Sequence, residues 1–145
     1  MFSKILVSTD GSELSQKAVD KAIELASQLK AELVGVHVYS PYPYPIYGEF
    51  IPPEMPETYL ERVKEEATNF LQKLKTAAEA KGIKTTVVSK ESFSPWEAII
   101  ETTKEQQCDG IVMASHGRRG VASLLLGSET QKVLTHSNVP VLVIR

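Results

Sequence analysis

The sequence predicts an α/β fold: a doubly wound domain in which one parallel sheet carries helices on both faces. Three observations predict it. Short runs of β-forming apolar residues recur five times, an amphipathic helical pattern separates each successive pair, and no linker or internal repeat interrupts the 145 residues. Strands that alternate with helices require right-handed crossovers, which set the strands parallel. A chain of this length has the usual size of one domain and buries about two thirds of its unfolded surface. One domain over residues 1–145 is therefore expected.

The elements follow in order. KILVST, Lys4 to Thr9, is a nearly continuous apolar run, as in a strand covered on both faces. Leu14, Ala18, Ala22, Leu25 and Leu29 then recur at three-to-four spacing, so one stripe of a first helix faces a core. Ala31 to Ser40 reads as the second strand. Leu60, Val63, Ala67, Phe70 or Leu71, Leu74 and Ala77 mark a long second helix that stops near Lys81-Gly82. Ile83 to Lys90 is the third strand, Trp96, Ile99, Ile100 and Thr103 mark the third helix, and Gly110 to Ser115 is the fourth strand. A fourth helix is expected from about Ser128 to Ser137, and Val139 to Arg145 as the fifth strand. Residues 41–56, PYPYPIYGEFIPPEMP, hold six of the eight prolines and are expected to lack regular structure. This stretch is longer than most connections and reads either as an irregular link or as a lid or partner surface.

Composition excludes several classes of function. With 42% hydrophobic and 23% charged residues the chain resembles ordinary globular proteins. A net charge of −2 without a clustered basic face argues against nucleic acid as a partner. No apolar run is long enough to span a bilayer and no leader pattern follows Met1, so a cytoplasmic protein without a membrane partner is expected. Cys108 stands alone, in keeping with a reducing compartment, and reads as buried filler at the lip of a strand. No nucleophilic triad and no close carboxylate pair can be placed. His37, His116 and His136 lack metal-ligand spacing, so neither a catalytic set nor a metal site is assigned.

Ligands of open parallel sheets bind beyond the carboxyl ends of the strands, where strand order reverses. Two segments reach that edge with suitable residues. STDGSE, Ser8 to Glu13, joins the first strand to the first helix; ASHGRRGVASLLLGS, Ala114 to Ser128, joins the fourth strand to the fourth helix. A phosphate cradle needs glycines where side chains would block backbone N–H groups, and a helix N-terminus whose unpartnered donors favour anions. Gly127-Ser128 satisfies both, although Ser128 with Gln131 also fits a capping box that would use the same donors. Gly117 and Gly120 serve either the cradle or a loop hinge. His116 serves either a phosphate or a loop carbonyl. Asp10 either accepts from a base or ribose or caps the first helix. The stretch lacks the lysine of a P-loop, and the first strand-helix turn lacks G-x-G-x-x-G.

At these residues the chain resembles the universal stress protein family over essentially its whole length. The nucleotide-binding branch of that family carries Gly, two residues, Gly, nine residues, then Gly-Ser or Gly-Thr. Here Ala114, Gly117 and Gly127-Ser128 occupy those places, with TDGS after the first strand, HV in the second and NVPVLVIR at the end. The resemblance implies a five-stranded parallel sheet of order 3-2-1-4-5, ATP at the edge of strands one and four, and a homodimer through Val139 to Arg145. It also implies that Thr9, Asp10 and Val38 lie around adenine and ribose, and that Met113, Ala114 and His116 flank ribose and phosphates. Gly117, Gly127, Ser128, Glu129 and Thr130 would then hold the phosphate chain, largely through backbone groups.

Three residues depart from the pattern. Ala114 replaces the first glycine, and its methyl group would weaken rather than abolish binding. Glu129 brings a carboxylate toward the phosphates, to be offset by Mg2+ or by Arg118 and Arg119 unless only its amide faces the site. Phe93 precedes Ser94-Pro95 where many relatives have glycine, and its ring either narrows or lines the adenine pocket. The leading expectation is an ATP-binding regulatory protein of the stress response. Two alternatives stay open: a nucleotide-free dimeric interaction module, and slow ATP hydrolysis or autophosphorylation on Ser128, Thr130 or Ser123.

Overall fold

The computed structural model describes residues 2–44, 54–117 and 125–145. Among the described residues nine elements alternate: β1 Lys4–Ser8, α1 Glu13–Leu29, β2 Glu32–Tyr39, α2 Pro56–Glu79, β3 Thr85–Glu91, α3 Pro95–Glu105, β4 Gly110–Ala114, α4 Ser128–His136 and β5 Val141–Ile144. The strands form one parallel sheet in the order β3-β2-β1-β4-β5. Strand order therefore reverses between β1 and β4, where Ile5 pairs with Gly110 and Val7 with Val112.

Alternation within the buried strands divides the core between the two faces. Ile5, Val7, Leu33 and Val112 pack under α1 and α2 against Ala22, Ile23, Leu74 and Ala78. Leu6, Val34, Val36, Ile111 and Met113 pack on the opposite face against Ile99, Cys108 and Val133, under α3 and α4. Leu6 and Val7 are wholly buried, as expected for a strand covered on both sides.

Local chemistry explains several element ends. The N-cap of α1 is Ser12, whose hydroxyl accepts from the Ser15 amide at 3.2 Å, so the capping role considered for Asp10 falls to Ser12. Helix α2 begins at Pro56, inside the proline-rich stretch and ahead of the first periodic apolar residue. Proline at the first helical position has no N–H to leave unpaired and a φ already suited to the helix. The ends of that stretch are pinned by Tyr42, which is buried and donates its hydroxyl to the Glu54 carbonyl at 2.9 Å. Residues 45–53, the rest of the lid or partner surface considered above, lie outside the described residues. The α2 helix ends at Glu79, and Gly82 takes the left-handed φ of 75° that turns the chain toward β3. The fifth strand is shorter than the expected Val139–Arg145, four residues against seven, and at its start Pro140 lacks the N–H a further ladder bond would use.

Candidate functional site

The carboxyl ends of β1 and β4 lie side by side, which brings the two segments singled out in the sequence to one edge. Thr9 leaves β1 with its amide donating to the Val36 carbonyl at 3.0 Å. The Thr9 carbonyl accepts from His37 Nδ1 at 2.7 Å; a carbonyl has no proton to give, so Nδ1 carries the hydrogen. His37 is buried with its ring edge-on to Phe70 at 5.4 Å, and its role is structural: it holds the β1 exit against β2. Asp10 turns the chain into α1, its Oδ1 accepting from the Ser12 amide at 2.9 Å. Its other oxygen faces β4: a Cβ built on Gly117 would stand 2.7 Å from Asp10 Oδ2.

From β4, Met113 is buried in the core beneath α3 and α4, while Ala114 packs toward the other face. The Ala114 carbonyl accepts from the Thr130 hydroxyl at 2.9 Å, and Thr130 is 2% exposed. Its hydroxyl is thus committed to joining α4 to the end of β4, leaving only its amide for a ligand. Gly127 donates its amide to the Ser115 carbonyl at 2.7 Å, and a Cβ there would meet the His116 Cα at 3.1 Å. Only glycine lets the start of α4 lie this close to the strand exit. His116 Nδ1 is 3.2 Å from the Ser115 hydroxyl. Val38, half-buried near the end of β2, packs on the face shared with α3 and α4.

The capping box considered as one alternative for Ser128 and Gln131 does not form. Gly127 is the N-cap of α4 and has no side chain to offer, Ser128 is the first helical residue, and the Gln131 side-chain amide donates instead to the Leu126 carbonyl at 2.9 Å. Helix geometry leaves the first-turn N–H groups of Ser128, Glu129 and Thr130 without intrahelical acceptors. They sit at the positive end of the α4 dipole, at the sheet edge where strand order reverses.

Glu129 does not turn its carboxylate onto those amides. Its Oε2 accepts from the Trp96 amide at 2.8 Å, at the start of α3, and its Oε1 lies 3.9 Å from Lys132 Nζ. The Ser94 N-cap of α3 makes no side-chain capping bond, and Pro95 has no N–H, so Trp96 is the first donor of that helix and Glu129 satisfies it. This long-range cap escaped the sequence reading, because 33 residues separate the partners and no short motif encodes the pairing. The Ser12 cap had a signal: a serine just ahead of Glu13 and a helical apolar stripe. Phe93 is 71% exposed, its ring turned to solvent. Arg118, Arg119, Gly120 and Ser123 lie outside the described residues. Among the described residues, no group of three or more His, Cys, Asp or Glu is arranged to hold a metal ion, and no helix is long and apolar enough to cross a membrane.

Fold and site together define an open-sheet α/β protein with a glycine-led helix N-terminus, without a side-chain cap among the described residues, at its topological switch point. The chain belongs to the universal stress protein family, which it matches over residues 1–145. It is 32% identical to universal stress protein MJ0531 of Methanocaldococcus jannaschii, over 100% of this chain and 83% of that protein. The solved structure of protein MJ0577 from the same organism has a TM-score of 0.83 at 30% identity, covering 99% of this chain and 96% of that one. A universal stress protein solved in complex with cAMP shares the fold, with a TM-score of 0.72 at 24% identity over 99% and 97% of the two chains.

Proposed function

We propose that residues 1–145 form one ATP-binding domain that acts as a homodimeric regulator in the stress response. The observation that carries this reading is the start of α4: the N-cap Gly127 offers the first turn no side-chain cap, and the Glu129 carboxylate is drawn off to α3. An N-terminus of that kind accepts the negative charge of a phosphate chain. In this reading the amides of Gly127, Ser128, Glu129 and Thr130 hold the phosphates, with Gly117 permitting close approach. Thr9, Asp10 and Val38 lie toward adenine and ribose, and Met113, Ala114 and His116 toward ribose and phosphates. Nucleotide complexes within the family, such as the protein solved with cAMP, favour this class of ligand.

Mg2+ would accompany ATP chiefly on the phosphates, because no ready-made carboxylate cluster awaits it among the described residues. The bound nucleotide acts by shifting a population of conformers or dimers rather than through a catalytic set. Of the hydroxyls considered as phosphoacceptors, that of Thr130 is buried and already donating to Ala114. The dimer would use β5, the strand at the sheet edge, where Leu142 is 47% exposed. Calorimetric titration of ATP with Mg2+ into nucleotide-stripped protein tests the binding. Saturation near one ATP per chain is expected, and absence of binding by a folded protein would favour the nucleotide-free interaction module.

A further inference from the structure

We propose that Glu129 is a positioning residue that keeps the phosphate site open by lending its charge to the neighbouring helix. The proposal rests on the nucleotide reading and specifies how that site tolerates an acidic residue in its first turn. A carboxylate at the second position of α4 sits in a first turn whose three amides lack intrahelical acceptors, and a short acidic side chain there would compete with phosphate for them. Glu129 reaches across to α3 instead. Its Oε2 accepts from the Trp96 amide at 2.8 Å, in a helix whose own N-cap serine makes no side-chain cap and whose first residue is proline. The indole of the same Trp96 stacks on His136, at the far end of α4, with ring centroids 4.4 Å apart. Trp96 is thereby held at both ends of α4, and the register of the two helices keeps the carboxylate aimed away from the α4 amides.

Reach and charge are separable by substitution. Glu129→Gln keeps the side-chain length and an accepting oxygen but loses the charge. Glu129→Asp keeps the charge but is one methylene shorter, so it falls back on its own helix terminus. Two measurements on the full chain read the consequences: hydrogen exchange of the Trp96 amide without ligand, and ATP affinity at low and high salt. The Trp96 amide should be protected in the wild type and in Glu129→Gln and exchange quickly in Glu129→Asp. ATP affinity should stay within about twofold in Glu129→Gln and fall by about tenfold in Glu129→Asp, with the gap narrowing as salt screens the repulsion. An unchanged Trp96 amide or unchanged affinity in Glu129→Asp would overturn the proposal, as would ATP binding about tenfold tighter in Glu129→Gln, since the charge would then already face the phosphates. A wild type that binds no ATP overturns the nucleotide reading itself. Trp96 exchange reports the tether without ligand, so the two failures are told apart.

Discussion

Gly117 approaches Asp10 so closely that a Cβ at residue 117 would lie 2.7 Å from Asp10 Oδ2, so any side chain there must displace the Asp10 carboxylate. In Gly117→Val the Asp10 carboxylate must shift from its place at the β1 exit, where its Oδ1 accepts from the Ser12 amide. ATP affinity should then fall by about tenfold or more while circular dichroism stays native. Calorimetry on both proteins checks this, and equal affinities would place Asp10 and Gly117 outside the nucleotide site.

Thr130→Val retains shape but removes the buried hydroxyl that donates to the half-buried Ala114 carbonyl. Leaving that acceptor unpaired should cost about 1–3 kcal/mol, read as a lower urea midpoint at unchanged slope. If the protein labels itself from ATP, mass spectrometry should find no phosphate on Thr130; phosphate there would show that α4 opens away from β4.

Burial pushes the Cys108 thiol from its ordinary 9.0 up to about 11, with nearby Lys4 pulling the other way and Asp109 adding to the rise. The native protein should resist thiol alkylation near pH 8 and react fully once unfolded. The folded pKa lies above the unfolded one, so the stabilising contribution is complete below pH 9 and lost as pH rises toward 11. Rapid alkylation of the native protein at pH 8 would contradict the burial.

On β5 the exposed apolar residue is Leu142, while Val141 packs into the core beneath α3 and α4. Leu142→Lys should shift the sedimentation profile from dimer toward monomer. A dimer that survives the substitution would place the interface elsewhere, and a monomeric wild type would reject the homodimer.

Much of the fold was legible because the strands are short, apolar and bounded, and the helices keep one apolar stripe. The order of the sheet followed from the resemblance carried by the glycine spacing and is observed as expected. The start of α2 was not legible from apolar periodicity, since Pro56 opens the helix four residues before Leu60. At the site, the sequence pointed to the glycines and the α4 terminus, and it left open a capping role for Ser128 where Gly127 is the N-cap. Local motifs also could not reveal where Glu129 points, because its partner Trp96 becomes a neighbour only when α3 and α4 pack on the same face of the sheet.

Amide chemical shifts of isotope-labelled protein, followed as ATP with Mg2+ is added, test phosphate binding at the α4 terminus most directly. The largest saturable shifts should fall on Gly117, Gly127, Ser128, Glu129 and Thr130, with smaller ones at Thr9 and Asp10. Saturable shifts that leave the first turn of α4 untouched would contradict a phosphate cradle there.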